Sequence, residues 1–238
     1  MSKIDVTLEE LLEAGAHYGH QVRRWNPKMR DFIYGQEEGV HIFDLAKTRE
    51  ALLAALEVLA KAQKDGKVIL FVGTKKQAKD PVMKVAQAAN QPYVVERWLG
   101  GTLTNFEQIK RSVKNLNEMK QRMSSGEFAK FTKKERLDIA REIEKKDKLF
   151  GGLTLLTRLP DIVFILDTHR EVTAVREAKR TGIESFGVTD SNSDPTEVTW
   201  PIPMNDDSNK SVNLVMELVR KAIMGSKSKR QSKSKVKK

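Results

Sequence analysis

The sequence predicts a doubly wound α/β body, interrupted by a long charged helical hairpin and followed by a basic tail. Three observations carry that prediction. The apolar runs Val68-Ile69-Leu70-Phe71-Val72 and Ile162-Val163-Phe164-Ile165-Leu166 have the composition of parallel strands covered by helices on both faces. Helical periodicity falls between such runs, so strand, helix and strand recur in the order that implies right-handed crossovers. Between the glycine pairs Gly100-Gly101 and Gly151-Gly152 this alternation gives way to densely charged helical spacing.

In chain order, Thr7-Leu8-Glu9-Glu10 fits a capping box opening a short helix that Gly15 ends. The segment from His17 to Arg30 shows neither a helical nor a strand period; it mixes Arg23, Arg24, Lys28 and Arg30 with Tyr18 and Trp25. Cations interleaved with aromatic rings suit phosphates and bases, and an exposed loop whose Trp docks on the core is the competing reading. Phe32-Ile33-Tyr34 and Val40-His41-Ile42-Phe43 predict a hairpin, and Asp44 caps the next helix, whose apolar face carries Leu45, Leu52, Leu56 and Leu59.

After the strand at 68–72, Gly73-Thr74-Lys75-Lys76 offers free amides at a helix start, an anion site in principle. It lacks the further glycines of either nucleotide fingerprint. Pro81 moves the expected helix start toward Asp80, and Tyr93-Val94-Val95 is the next strand. Arg97-Trp98-Leu99-Gly100-Gly101-Thr102-Leu103-Thr104-Asn105 is then the boundary from which the arm departs. Its glycines permit either tight packing or a phosphate cradle.

Phe106, Ile109, Val113, Leu116 and Met123 form one seam, and Ile139, Ile143 and Phe150 another, separated by Ser124-Ser125-Gly126 and a capping box at Thr132 to Glu135. Two such helices predict an antiparallel coiled-coil hairpin. Strands follow at 161–167 and 183–188, with a helix between them closed by Gly182. Trp200-Pro201-Ile202-Pro203 reads as an extended link, and Asn205-Asp206-Asp207 as the cap of the last helix.

The net charge of +11 is unevenly placed. Residues 225–238 hold seven bases and no acid, and 107–150 hold 13 bases and eight acids, leaving the remaining body near neutral. Basic appendages on a neutral body suit a polyanion such as folded RNA. There is no cysteine, which excludes disulfides and thiolate metal sites, and no apolar run approaches the ~20 residues of a membrane span. A soluble chain in a reducing cytoplasm is expected. His17 and His20 are too few for a zinc site. Asp167, His169 and Asp190 can be drawn as an acid–base or magnesium site, but no nucleophile elbow or phosphate loop joins them, and turn and capping roles account for carboxylates at strand ends.

Seven motifs in order resemble the bacterial and organellar small-subunit ribosomal protein S2 family. They are Ala14 to His20, Trp25-Asn26-Pro27-Lys28-Met29, Phe71 to Lys75, Arg97 to Asn105, Leu159-Pro160-Asp161, Asp190 to Pro195, and Asn205-Asp206-Asp207. The departures are Thr154 and Leu156, where the family usually has Lys and Met, and Met204 in place of a Gly. The resemblance implies a flavodoxin-like parallel sheet with a protruding coiled-coil hairpin, no catalysis and no cofactor. It further implies binding to small-subunit ribosomal RNA, protein neighbours including the large OB-fold protein that helps deliver mRNA, and a place on a cytoplasmic or organellar ribosome.

The expected organisation is thus a discontinuous body of residues 1–106 and 151–224, a hairpin of 107–150, and a disordered basic tail of 225–238. Candidate RNA contacts are Arg23, Arg24, Trp25, Lys28 and Arg30 in the basic segment, Lys75 and Lys76 at the strand end, and Arg97 and Trp98 at the boundary. On the hairpin they are Lys110, Arg111, Lys114, Lys133, Lys134 and Arg136. The alternative is a phosphate-binding α/β enzyme using Thr74, Lys75, Asp167 and Asp190.

Overall fold

The computed structural model describes the backbone of residues 4–235 and the side chains of residues 4–225. Helix α1 (Leu8–Glu13) opens with the capping box: Glu10 N donates to Thr7 Oγ1 at 3.1 Å, and Thr7 N donates to Glu10 Oε2 at 2.8 Å. An antiparallel sheet follows, made of β1 (Tyr18–Gln21), β2 (Ile33–Glu37) and β3 (Val40–Phe43) in the order β1-β3-β2. Glu38 and Gly39, with φ of 48° and 76°, make the two-residue turn between β2 and β3, the handedness that suits a hairpin. Strand β1 was not expected from sequence. Tyr-Gly-His-Gln has no apolar alternation, and its extended form comes from pairing with β3. The rest of the basic segment coils into short 3-10 turns, Val22–Arg24 and Pro27–Phe32.

Helix α2 (Leu45–Lys64) is capped by Asp44, whose Oδ1 accepts from Ala46 N at 3.0 Å and Lys47 N at 3.4 Å. The main sheet then assembles from β4 (Ile69–Val72), α3 (Lys76–Ala89), β5 (Tyr93–Val94), α4 (Phe106–Ser124), α5 (Lys133–Phe150), β6 (Ile162–Leu166), α6 (Val172–Thr181), β7 (Glu184–Thr189), β8 (Trp200–Pro203) and α7 (Asn209–Lys235). Its order is β5-β4-β6-β7-β8, with every neighbouring pair parallel. That is the flavodoxin-like order 2-1-3-4-5. Two local expectations are corrected. Pro81 lies in the interior of α3 rather than in its first turn, because burial of Ala78 and Val82 keeps the preceding turn helical. Residues 200–203 are a strand, not a link; the prolines are tolerated because β8 is the sheet edge. Along the expected basic tail, 225–238, the backbone of α7 runs through Lys235, while residues 236–238 lie outside the described residues.

Alternation along the strands builds two cores. Ile69, Phe71, Ile162, Phe164, Phe186 and Val188 pack with α2, α3 and α7. Leu70, Val72, Val163 and Ile165 pack on the other face with α6, the 97–105 loop, and Ile109 and Val113 of α4. The hairpin is therefore rooted in the body. Helices α4 and α5 touch, with Lys120 Nζ 2.5 Å from Asp147 Oδ1 and Lys146 Nζ 2.8 Å from Asn115 Oδ1. However, α5 buries no residue fully, and Ile139, Ile143 and Phe150 are half-buried. The structure thus gives a helical pair whose inner helix faces the body at its root, rather than a coiled-coil seam shared evenly.

Candidate nucleic-acid interface

The carboxyl edge of a parallel sheet is where such folds place ligands. Here that edge is already occupied by the protein's own charges. Lys75, just beyond β4, puts Nζ 2.9 Å from Asp167 Oδ2, 2.6 Å from Asp206 Oδ1 and 2.7 Å from Asp207 Oδ1. Burial opposes its charge, yet the three carboxylates hold the ammonium well above its ordinary pKa. Burial pushes the Asp206 carboxyl up to about 8, reinforced by the neighbouring Asp167 and Asp190 charges against the pull of Lys75. His20 joins from β1, with Nδ1 2.9 Å from Asp190 Oδ1 and Nε2 3.4 Å from Asp207 Oδ2; its hydrogen bond to Asp190 raises its pKa despite burial.

Thr74, expected to offer a free amide to an anion, instead donates both N, at 3.3 Å, and its hydroxyl to the buried Glu171 carboxylate. Lys75 is accordingly corrected as a surface contact: it neutralises an internal acidic cluster. Asp206, read from sequence as a helix cap, is one of that cluster's buried members. These bonds engage Thr74, Lys75, Asp167 and Asp190, the groups on which the enzyme alternative rested. His17 and His20 do not share a helix face either. His20 lies in β1, and His17 in the turn just before it. Among the described residues no group of three or more His, Cys, Asp or Glu is arranged to hold a metal ion.

The basic segment is laid over this edge. Asn26 N donates to Ser191 O at 2.7 Å, His20 N to Ser191 Oγ at 2.7 Å, and Lys28 Nζ to Asp194 Oδ2 at 2.6 Å and Thr196 Oγ1 at 3.2 Å. Lys28 therefore anchors the segment as well as lying exposed. Trp25 is half-buried and packs at a tilt of 35° against His41, with centroids 4.8 Å apart, which realises the docking role weighed for it. Arg23 is exposed and bonds only within its own turn, to Gln21 Oε1 at 3.0 Å. Arg24, Arg30 and Lys76 are exposed and make no ion pair within 4 Å among the described residues.

At the arm's origin, Arg97 is exposed, but Trp98 is only 7% exposed and sits in the second core. This corrects Trp98 as a stacking residue. Its indole Nε1 donates to Glu177 Oε1 at 3.1 Å. Glu177 is the organising group of the whole loop, accepting also from Gly101 N at 2.8 Å, Leu103 N at 2.9 Å, and Thr104 N and Oγ1, each at 3.2 Å. Burial alone pushes its pKa up, but the donors from Leu103, Gly101, Trp98 and Thr104 outweigh it and leave the carboxyl below its usual value. The suspected phosphate cradle is thus a cradle for an internal carboxylate. Gly101 reaches it with φ +92°, where a side chain is strained. On return from α5, Gly152 packs so closely on β5 that a Cβ would lie 2.2 Å from Tyr93 O.

The hairpin candidates are all exposed: Lys110, Arg111 and Lys114 on α4, and Lys133, Lys134 and Arg136 in the opening turns of α5. Only Lys114 among them makes an ion pair within the described residues, at 3.7 Å to Glu118.

A family model described as Ribosomal protein S2 matches residues 11–226. The chain belongs to the ribosomal protein S2 family. Curated relatives agree along nearly the whole length. The small ribosomal subunit protein uS2 of Coprothermobacter proteolyticus is 45% identical over 226 residues, covering 95% of this chain and 84% of the relative. Those of Roseiflexus sp. and Helicobacter hepaticus are each 44% identical, over 227 and 223 residues, covering 95% and 94% of this chain and 87% and 84% of the relatives. In this S2-family chain the group that sequence reading missed is Glu177. Its signal was present: an acid three residues after Ala174, on the face that α6 turns inward.

Proposed function

We propose that the chain is a non-catalytic structural constituent of the small ribosomal subunit, binding its RNA chiefly through phosphates. Membership in the S2 family over residues 11–226 carries the reading. The exposed cations at Arg24, Arg30, Lys76, Arg97, Lys110, Arg111, Lys133, Lys134 and Arg136, which make no ion pair among the described residues, support the mode of binding, since phosphate contact rests on accessible positive charge. Protein neighbours, among them the OB-fold protein that helps deliver mRNA, and a cytoplasmic ribosome belong to the same proposal.

The purified chain is expected to cosediment with small subunits depleted of their own copy, and to release steeply as salt rises. Replacing Arg24 and Arg30 by Ala should weaken binding to small-subunit ribosomal RNA about tenfold and lower the salt slope by about 0.7–0.9 per lost phosphate contact. Failure of the unaltered chain to associate at moderate salt would refute the reading.

We further propose that the arm of residues 107–150 divides into a root that belongs to the body and a distal part that serves assembly. Ile109 and Val113 lie in the body core, so deletion of all of 107–150 is expected to destabilise the body. Replacing residues 119–145 by a short Gly/Ser turn keeps the root and should leave the unfolding midpoint within about 1 kcal/mol of the parent, while reducing incorporation into subunits. An unfolded trimmed variant would make the distal arm part of the core.

A further inference from the structure

The body's near-neutral composition conceals a sorting of charge by depth. Five of its acids, Asp167, Asp190, Asp206, Glu171 and Glu177, are buried. Around α6 the sorting is complete. Glu171 and Glu177, the acids of residues 169–181, are 4% and 8% exposed and turned inward, one held by Thr74 and the other by the 97–104 loop. Arg170, Arg176, Lys179 and Arg180 are all exposed. Lys179 is paired with Glu197 at 2.9 Å, whereas Arg170, Arg176 and Arg180 make no ion pair within 4 Å among the described residues.

Arg170 is also held in place. Its Nε donates to Thr74 Oγ1 at 3.1 Å and its backbone N to Asp167 Oδ1 at 2.8 Å, while no hydrogen bond engages its terminal guanidinium nitrogens among the described residues. Arg176 and Arg180 are four residues apart on one helix face, about 6 Å along the axis. The face belongs to the same layer as the arm's root, since α6 and α4 share the second core and Glu177 ties the arm's launching loop to α6.

We propose that the outer face of α6, through Arg170, Arg176 and Arg180, is a further RNA-binding surface that grips backbone phosphates. The proposal rests on the RNA-binding reading above. A guanidinium presents a planar fork suited to phosphate oxygens, and a helix face bearing two such groups, with a third just before the helix start and no exposed acid on the helix, repels other cations and attracts a polyanion. An acidic protein surface is the competing occupant. The arginine forks, and the layer that α6 shares with the cation-bearing α4, favour RNA.

The test uses the full chain and isolated small-subunit ribosomal RNA across a potassium chloride series. Arg176→Ala with Arg180→Ala should weaken binding about tenfold at moderate salt, lower the slope of log affinity against log salt by roughly 1.4–1.8, and leave the circular dichroism and unfolding midpoint unchanged. Arg176→Lys with Arg180→Lys should restore the slope. Thr74→Val, which keeps the Arg170 charge but frees its side chain, should weaken binding by a smaller factor than Arg170→Ala. An unchanged affinity and slope in the double Ala variant, with the Arg24 and Arg30 variant still impaired, overturns this proposal and leaves the RNA-binding reading standing. Loss of subunit incorporation without any change in RNA affinity assigns the face to a protein and overturns it as well. If the unaltered chain does not bind the RNA, both readings fall together.

Discussion

Glu177→Gln is expected to cost about 2–4 kcal/mol of folding free energy at neutral pH, measured as a shift in the denaturant midpoint. The carboxylate accepts five hydrogen bonds from Trp98, Gly101, Leu103 and Thr104. A Gln amide retains one acceptor oxygen and turns donor hydrogens on the rest, so buried N–H groups lose their partner at about 1–3 kcal/mol each. The pH dependence has a definite sign. The folded carboxyl is held below its ordinary value, so its stabilisation is present above the unfolded pKa of about 4.3 and is lost as pH falls through the folded value. The difference between parent and Gln variant should therefore narrow in acid. A midpoint unchanged at neutral pH, or a difference that widens in acid, would show that the loop is held by its apolar contacts instead.

Lys75→Met is expected to be comparably severe, about 3–5 kcal/mol at neutral pH, because it strands the buried Asp167 carboxylate without its counter-charge. Asp167 is 4% exposed and loses its counter-charge, while Asp206, 2% exposed and held mostly neutral by its raised pKa, loses the ammonium as a hydrogen-bond donor. Asp206→Asn in the Lys75→Met background should recover part of the loss, the non-additivity expected of groups in direct contact. Asp206 alone also predicts a pH trend opposite to that of Glu177. Its folded pKa is raised to about 8, so its contribution is complete below the unfolded value of about 3.9 and is lost as pH rises through about 8. His20, also raised, has the same sign. Comparing the parent with Asp206→Asn isolates the carboxyl: the parent should lose more stability between pH 6 and 8.5 than the variant does. Equal slopes would mean that Asp206 is ionised across the range.

The body was legible because its central strands are buried on both faces and its helices carry their own start and stop signals. Leu70 and Val72 face one core and Ile69 and Phe71 the other, so the apolar runs needed no partner to be recognised. The capping boxes at Thr7 and Thr132 are local chemistry, and both formed. Strands β1 and β8 were not legible, since Tyr-Gly-His-Gln and Trp-Pro-Ile-Pro become strands only by pairing with residues distant in the chain.

The interface was half legible for a related reason. Exposed arginines on the basic segment and arm follow from charge and turn chemistry alone. The fate of Lys75 does not: its partners come from the ends of β6 and the approach to α7, and only the folded sheet brings them together. Trp98 was ambiguous between stacking on a base and filling a core, and Glu177, 79 residues later, decided for the core. Counting charges could not see the face of α6 because counting has no depth.

The arm leaves the body just after β5 and returns where Gly152 lies against Tyr93 of that same strand. Strand β5 is two residues long and pairs with β4 alone. The outgoing path from sheet to arm therefore starts on one short edge strand, and the returning path packs against that same strand before running on to β6, as a boom is stepped at the rim of a deck. A pull on the arm is borne by β5, by the apolar seat of Ile109 and Val113 and, through residues 151–161, by β6, while β7 and β8 stand off the line of load. Such a mounting spreads load from the arm over the two strands that flank β4.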